Sequence, residues 1–329
     1  MSLQIIKPGL LDTIQDQGRY GYQHLGINPG GAMDRFSSQL ANALLGKNLD
    51  DAVLEMHFPA AKILFAEQTI ICITGGDFSP TINKKKFPLN QPIAVTKNTE
   101  LRFEQKLSGA RCYLSFIHNL DLDKWLNSYS TNLAAGAGGY NGRALKKGDA
   151  LNFKNNFEYN YPAGEKDFAL LPWKATESIS LKKEVRFIKG NEWDWMTEAA
   201  IKIFTESTYQ ITNNSNRMGY RLKGKELKLK VEQQLISSGV TFGTIQLLPD
   251  GQLIILMADH QTTGGYPRVA HVISADLPLL AQCNAGDEIK FSEVDHDIAA
   301  EELLKKQRDL LHIQTASKFK IEKLLNVTF

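Results

Sequence analysis

No apolar run in this chain exceeds six residues; the longest is Leu253-Ile254-Ile255-Leu256-Met257-Ala258. Runs this short, rich in β-branched and aromatic residues and stopped by turn formers, favour strands over helices. They also fall far below the roughly 20 apolar residues that a membrane-spanning helix needs. The N-terminal half repeats the pattern. Ile70-Ile71-Cys72-Ile73-Thr74 ends in Gly75-Gly76, Pro92–Val95 precedes Leu101-Arg102-Phe103, and Cys112–Ile117 follows Gly109. In the second half, strands are expected at Val185–Ile188, Thr208–Thr212, Leu253–Met257, Val272–Ser274 and Glu288–Phe291.

Helical signals are few. Asp34 is placed to N-cap a segment in which Phe36, Leu40 and Leu44 recur every four residues, and Gly46 stops it. Trp195/Met196, Ala199/Ala200 and Ile203/Phe204 mark a second amphipathic helix. After Val294 the texture changes. Ile298 to Ile313 puts Leu303, Leu304, Leu310 and Leu311 on one side of a helix, and Phe319, Ile321, Leu324 and Leu325 form a last apolar segment. This tail is expected to pack back on the body, with a contact to another protein chain as the alternative. Repeated breaks between Asn152 and Lys183 mark a linker. The fold class expected is therefore mainly β, with few short helices and a C-terminal helical extension. Its domains are expected at 1–165, 166–295 and 296–329.

Composition narrows the function classes. The 329 residues carry 38 Lys and Arg against 36 Asp and Glu, a net charge of +2. That balance gives no electrostatic footprint for nucleic acid or an anionic membrane. Cys72, Cys112 and Cys283 are widely separated among apolar neighbours, as structural thiols are, and no CxxC spacing exists. With no signal sequence visible at the N-terminus, a cytoplasmic protein is expected.

Polar and glycine residues gather in four stretches. The first is Gly30-Gly31-Ala32-Met33-Asp34, preceded by Asp12, Gln15, Asp16, Arg19 and His24. It reads either as a turn with a helix cap or as an anion-friendly helix start. The second runs from Ser128-Tyr129-Ser130-Thr131 to Gly138-Gly139-Tyr140-Asn141-Gly142-Arg143. Its glycines permit close backbone approach or positive φ, and the Arg143 fork suits carboxylate or phosphate. The third is Asn214 to Leu222, where Arg217 and Arg221 would share one face of a strand and clamp an anion, or form structural salt bridges. The fourth is the densest. After Gln246 and the apolar strand come Asp259, His260, Gln261, Thr262, Thr263, Gly264, Gly265 and Tyr266. A strand end that delivers an acid, an imidazole, an amide and two hydroxyls onto a Gly-Gly turn is how a site is presented. No P-loop and no HExxH motif is present.

At these stretches the chain resembles the biotin-dependent carboxyltransferase/KipA family. That family includes the C subunit of 5-oxoprolinase, allophanate hydrolase subunit 2 and the carboxyltransferase domain of urea carboxylase. The resemblance rests on Thr13-Ile14-Gln15-Asp16-Gln17-Gly18-Arg19, Gly31-Ala32-Met33-Asp34, Ile73-Thr74-Gly75-Gly76-Asp77, Gly138–Arg143 with Gly148-Asp149, Arg217–Leu222 and Ala258–Pro267. It implies two tandem cyclophilin-like β-barrel subdomains with the active site in the cleft between them. It further implies a KipI-like partner, the B subunit in a 5-oxoprolinase, and for that enzyme a LamB/YcsF-like A subunit as well.

The function expected from the resemblance is the C subunit of an ATP-dependent 5-oxoprolinase. ATP with Mg2+ would be the cosubstrate of the complex, acting on a small anionic or amide substrate. Asp259, His260, Thr262 and Thr263 are the catalytic candidates. Arg217, Tyr220, Arg221, Gln246, Gln261, Gly264, Gly265, Tyr266, Asp34, Asp77, Ser130 and Arg143 are the substrate-binding candidates. Two alternatives stand beside this reading: carboxyl transfer from carboxybiotin to urea or another amide, and a non-catalytic regulator binding a KipI-like kinase inhibitor. The chain has no biotinyl-lysine motif, so any biotin would arrive on another protein.

Overall fold

The computed structural model describes residues 2–154, 166–176, 184–231 and 235–325. The chain divides into two compact units. One comprises Met1–Gly18, Asp34–Ile179 and Gln307–Phe329; the other comprises Arg19–Met33 and Ser180–Lys306. Of the stretch expected as a linker, residues 155–165 and 177–183 lie outside the described residues, while Phe168–Leu170 is a strand.

The first unit holds two six-stranded antiparallel sheets. One orders Ala150–Leu151, Leu3–Lys7, Lys62–Phe65, Thr99–Phe103, Pro80–Ile82 and Lys85–Lys86; the other orders Phe168–Leu170, Ile93–Val95, Thr69–Gly75, Arg111–Phe116, Val53–His57 and Asp12–Gln15. Leu3, Ile63 and Leu101 of the first sheet share a core with Leu54, Ile71, Ile73, Leu114 and Phe116 of the second. The strand Thr69–Gly75 reads as an unbroken apolar run because both its faces are covered. Ile71 and Ile73 point into that core, whereas Ile70 and Cys72 belong to a second cluster beneath α1 (Arg35–Leu44). Burial pushes the Cys72 and Cys112 thiols well up, as inert structural thiols require.

In the second unit, seven strands close into a barrel. The order is Glu184–Lys189, Arg268–Val272, Thr244–Leu247, Leu253–Leu256, Gly219–Lys223, Thr208–Ile211 and Glu288–Glu293. The last strand pairs with the first in parallel, Val185 opposite Phe291, and so removes both sheet edges. Inside, the Phe204 and Phe291 rings stack at 4.8 Å, with Phe187, Trp193 and Tyr209 around them. The strand expected over Val272–Ser274 ends at Val272 instead. The helix expected around Trp195 starts later, as α2 (Glu198–Glu206), because the Thr197 side chain accepts the Ala200 N–H at 3.1 Å; Trp193–Trp195 is a separate 3-10 turn. A short α3 (Leu277–Ala281) follows.

The C-terminal segment is one continuous helix, α4 (His296–Leu325), rather than a helix and a separate apolar stretch. Its buried side chains are Leu310, Ser317, Ile321 and Leu325; Leu304 and Leu311, expected on the apolar side, face solvent. Leu310, Ile321 and Leu325 pack with Leu40, Leu44 and Trp173 of the first unit. Gly46 both ends α1, with φ +64, and admits α4: a Cβ there would lie 2.6 Å from the Lys318 Cα. No helix among the described residues is long and apolar enough to cross a membrane.

Candidate functional site

In the barrel unit, the strand Leu253–Leu256 ends in a turn that carries Asp259 and His260. The Asp259 carboxylate is gripped by one side chain, Arg217: Nε donates to Oδ2 at 2.7 Å and Nη2 to Oδ1 at 3.0 Å. Nη2 also donates to the Gly31 carbonyl at 2.7 Å, and the Asn28 side-chain amide donates to the Asp259 carbonyl at 2.9 Å. The Asp259 N–H in turn donates to the Arg217 carbonyl. Three segments distant in sequence, 28–31, 217 and 259, are thus tied through one charge pair. The bidentate fork satisfies both charges in a partly buried place, where an unpaired charge is costly.

His260 is 3 % exposed, and its Nδ1 lies 2.5 Å from the Gln261 carbonyl oxygen. A carbonyl only accepts, so Nδ1 carries a proton in this contact. Next in the chain, Gln261, Thr263, Gly265 and Tyr266 are exposed, Thr262 is half-buried and Gly264 is buried. The backbone here is fixed by pairing of Thr263–Gly264 with Ser238–Gly239 and by the Val240 N–H donating to the Thr262 carbonyl. Gln246, buried on its barrel strand, donates from Nε2 to the Tyr266 carbonyl at 3.3 Å.

Of the candidates around the strand Gly219–Lys223, Arg217 reaches the turn through Asp259. Arg217 precedes the strand Gly219–Lys223 and is buried, whereas Arg221 lies within it and is exposed. The even spacing therefore does not put the two guanidiniums on one strand face. Tyr220 is 3 % exposed and belongs to the barrel core.

In the first unit the polar candidates are committed to holding loops. Ser130 Oγ donates to Asp16 Oδ1 at 2.5 Å, Ser128 Oγ to the same oxygen at 2.7 Å, and the Tyr129 N–H to Oδ2 at 2.6 Å. Arg143 clasps Asp149 with Nη1 and Nη2 at 2.7 and 2.9 Å, and that contact holds the Asp149 carboxyl below its usual range. The glycine loop before Arg143 is wound on itself: a Cβ on Gly142 would sit 2.0 Å from the Gly136 carbonyl oxygen. Its glycines serve that turn.

Asp34 caps α1, accepting the Ser37 N–H at 2.8 Å and the Ser37 hydroxyl at 2.6 Å. The Asp34 N–H donates to the Tyr113 hydroxyl, whose proton goes to Glu55 Oε2, each at 2.8 Å. Asp77 accepts the Ser79 N–H within a turn. Among the described residues no group of three or more His, Cys, Asp or Glu side chains is arranged to hold a metal ion.

Sequence reasoning missed two parts of this framework. Asn28 has no local signature, since its partner is 231 residues away. The Glu192–Arg268 pair, bidentate at 2.7 and 2.9 Å, anchors the far end of the Thr262–Pro267 turn region and was equally silent.

Comparison with known proteins gives a consistent family. A family model described as carboxyltransferase domain, subdomain A and B, matches residues 25–293. The C subunit of the Escherichia coli 5-oxoprolinase is 32 % identical over 93 % of this chain and 94 % of its own length. The urea amidolyase of Saccharomyces cerevisiae is 31 % identical over 90 % of this chain but only 17 % of its own. The crystal structure of the Kluyveromyces lactis urea carboxylase superposes with a TM-score of 0.85 at 29 % identity, covering 96 % of this chain and 29 % of that one.

Proposed function

Because the chain belongs to the carboxyltransferase-domain family, subdomain A and B, we propose that it is the C subunit of an ATP-dependent 5-oxoprolinase. In this reading it acts with a KipI-like B subunit, and with a LamB/YcsF-like A subunit, to open 5-oxo-L-proline to L-glutamate. One observation carries the choice. The C subunits of the Escherichia coli and Haemophilus influenzae 5-oxoprolinases are 32 % and 34 % identical over 93 % and 88 % of this chain, against 31 % over 90 % for the Saccharomyces cerevisiae urea amidolyase.

The chemistry asks for proton transfer at a poor electrophile. An amide carbonyl resists water, so phosphoryl transfer from ATP to the lactam oxygen creates a better leaving group. Water then adds to the carbon, the ring C–N bond breaks, and phosphate departs with a second water. His260 is the proton carrier in this scheme, its ring oriented by the Nδ1–H contact to the Gln261 carbonyl. Thr263 and the Gly264-Gly265 backbone are the donors for the developing oxyanion or phosphate. Arg217 and Asp259 are positioning residues, because each spends its charge on the other. ATP with Mg2+ is a cosubstrate of the complex.

Carboxyl transfer from carboxybiotin to an amide is the second reading, and the TM-score of 0.85 to a urea carboxylase favours it. The purified complex with its two partner proteins separates them. Lactam opening yields glutamate from 5-oxoproline and ATP and is indifferent to avidin. Carboxyl transfer requires a biotinyl protein and is abolished by avidin, and that result overturns the first reading.

A further inference from the structure

The second half of α4, Gln307–Leu325, is amphipathic twice over. Its inner face carries Leu310, Ser317, Ile321 and Leu325 into the first unit. Gln314 ties the same face down, donating to the Lys47 carbonyl at 2.6 Å. The outer face presents Arg308, Leu311, Thr315, Phe319 and Glu322. Leu311 is 50 % exposed and Phe319 67 % exposed; Arg308 and Thr315 are exposed, and Glu322 is half-buried. At 100° per residue these five lie within an arc of about 80°. A solitary exposed leucine or phenylalanine is ordinary on a protein surface; the spacing of this set is not.

About Thr315 the set is symmetric. Leu311 and Phe319 lie four residues to either side, and Arg308 and Glu322 lie seven to either side. The outer side chains on the two arms are opposite in charge, and the inner ones are both apolar. We infer that this face is the docking surface for a second copy of the chain. The two helices run antiparallel across a twofold axis at Thr315. That arrangement places Leu311 on Phe319 of the second copy and Arg308 on Glu322 of the second copy, each contact made twice, as an isologous interface requires. Parallel packing would set Arg308 against Arg308 and Glu322 against Glu322. The small Thr315 at the axis allows the helices to approach to the roughly 8–10 Å of close helix packing. One helix pair is a small interface, in the class of weak and transient contacts.

Sedimentation velocity of the full chain between about 1 and 200 μM tests this. The expected result is a reversible monomer–dimer equilibrium. Phe319→Asp weakens it at least about tenfold, and Arg308→Glu or Glu322→Arg alone does the same. The double reversal Arg308→Glu/Glu322→Arg returns affinity to within about threefold of the starting value. Phe319 is mostly exposed, so Phe319→Asp stays informative if the Glu322 variant folds poorly; circular dichroism monitors that. A chain that remains monomeric at 200 μM overturns the inference. So does a dimer indifferent to Phe319→Asp. A monomeric chain whose co-purification with a different protein of the complex is lost in Phe319→Asp also overturns it, and assigns the face to that protein.

Discussion

The Arg217 guanidinium closes on both oxygens of Asp259, at 2.7 and 3.0 Å, while the same Nη2 reaches the Gly31 carbonyl at 2.7 Å. One side chain thereby neutralises a carboxylate and ties a glycine turn to the strand end beside His260. Removing only one partner leaves a partly buried charge without its counterpart. Arg217→Ala is expected to destabilise the barrel unit by about 3 kcal/mol, and Asp259→Ala by a similar amount. The double variant loses less than the sum, because neither charge is then left alone. Urea denaturation of the three variants gives the coupling; strictly additive losses would show that the pair does no joint work.

Asp12 gives the protein a pH dependence of defined sign. It is 1 % exposed, accepts the Gly9 N–H at 2.6 Å, and burial pushes its carboxyl up to about 7 from 3.8. A carboxyl raised in the folded state supports folding fully below the unfolded value. That support fades as the unfolded chain ionises and the folded one does not, from about pH 4 up to about pH 7. The displacement corresponds to at most about 4 kcal/mol. Asp12→Asn is expected to flatten this slope between pH 4 and 7. Equal slopes in the two proteins, read from denaturation midpoints, would contradict the assignment.

Arg143 is expected to matter little to chemistry. Its fork is committed to Asp149 on a partly solvated surface, so Arg143→Ala costs about 1 kcal/mol or less and leaves kcat of the assembled complex within about threefold. A loss of a hundredfold in kcat with the fold intact would return Arg143 to the substrate.

Local signals were readable and long-range ones were not. The cap at Asp34, the stop at Gly46 and the strands Thr69–Gly75 and Leu253–Leu256 all follow from neighbours within a few residues. The His260 turn was visible as a density of polar groups after a buried strand. The buried face of α4 is set by the sheet and α1 it meets, not by its own apolar spacing. Ser317 is buried there while Leu311 and Phe319 are exposed, the reverse of their hydrophobicity. Arg217 and Arg221 looked like a pair on strand spacing, yet the strand begins at Gly219, and the partner Arg217 takes lies 42 residues on. Arg143, likewise, reads as an anion donor until its neighbour Asp149 is seen to fill the fork.

His260 separates a catalytic turn from a structural one. In the assembled complex His260→Gln is expected to lower glutamate formation by about 10²–10⁴-fold while circular dichroism and complex assembly stay unchanged. Full activity in that variant would assign proton transfer elsewhere.

Stoichiometry in the complex of this chain reconstituted with KipI-like and LamB/YcsF-like partners distinguishes lactam opening from carboxyl transfer. Glutamate and ADP are measured together from 5-oxoproline and ATP. A 5-oxoprolinase gives one ADP per glutamate, no glutamate without this chain, and no inhibition by avidin. No glutamate from a verified complex, or turnover that depends on a biotinyl protein, would contradict that reading.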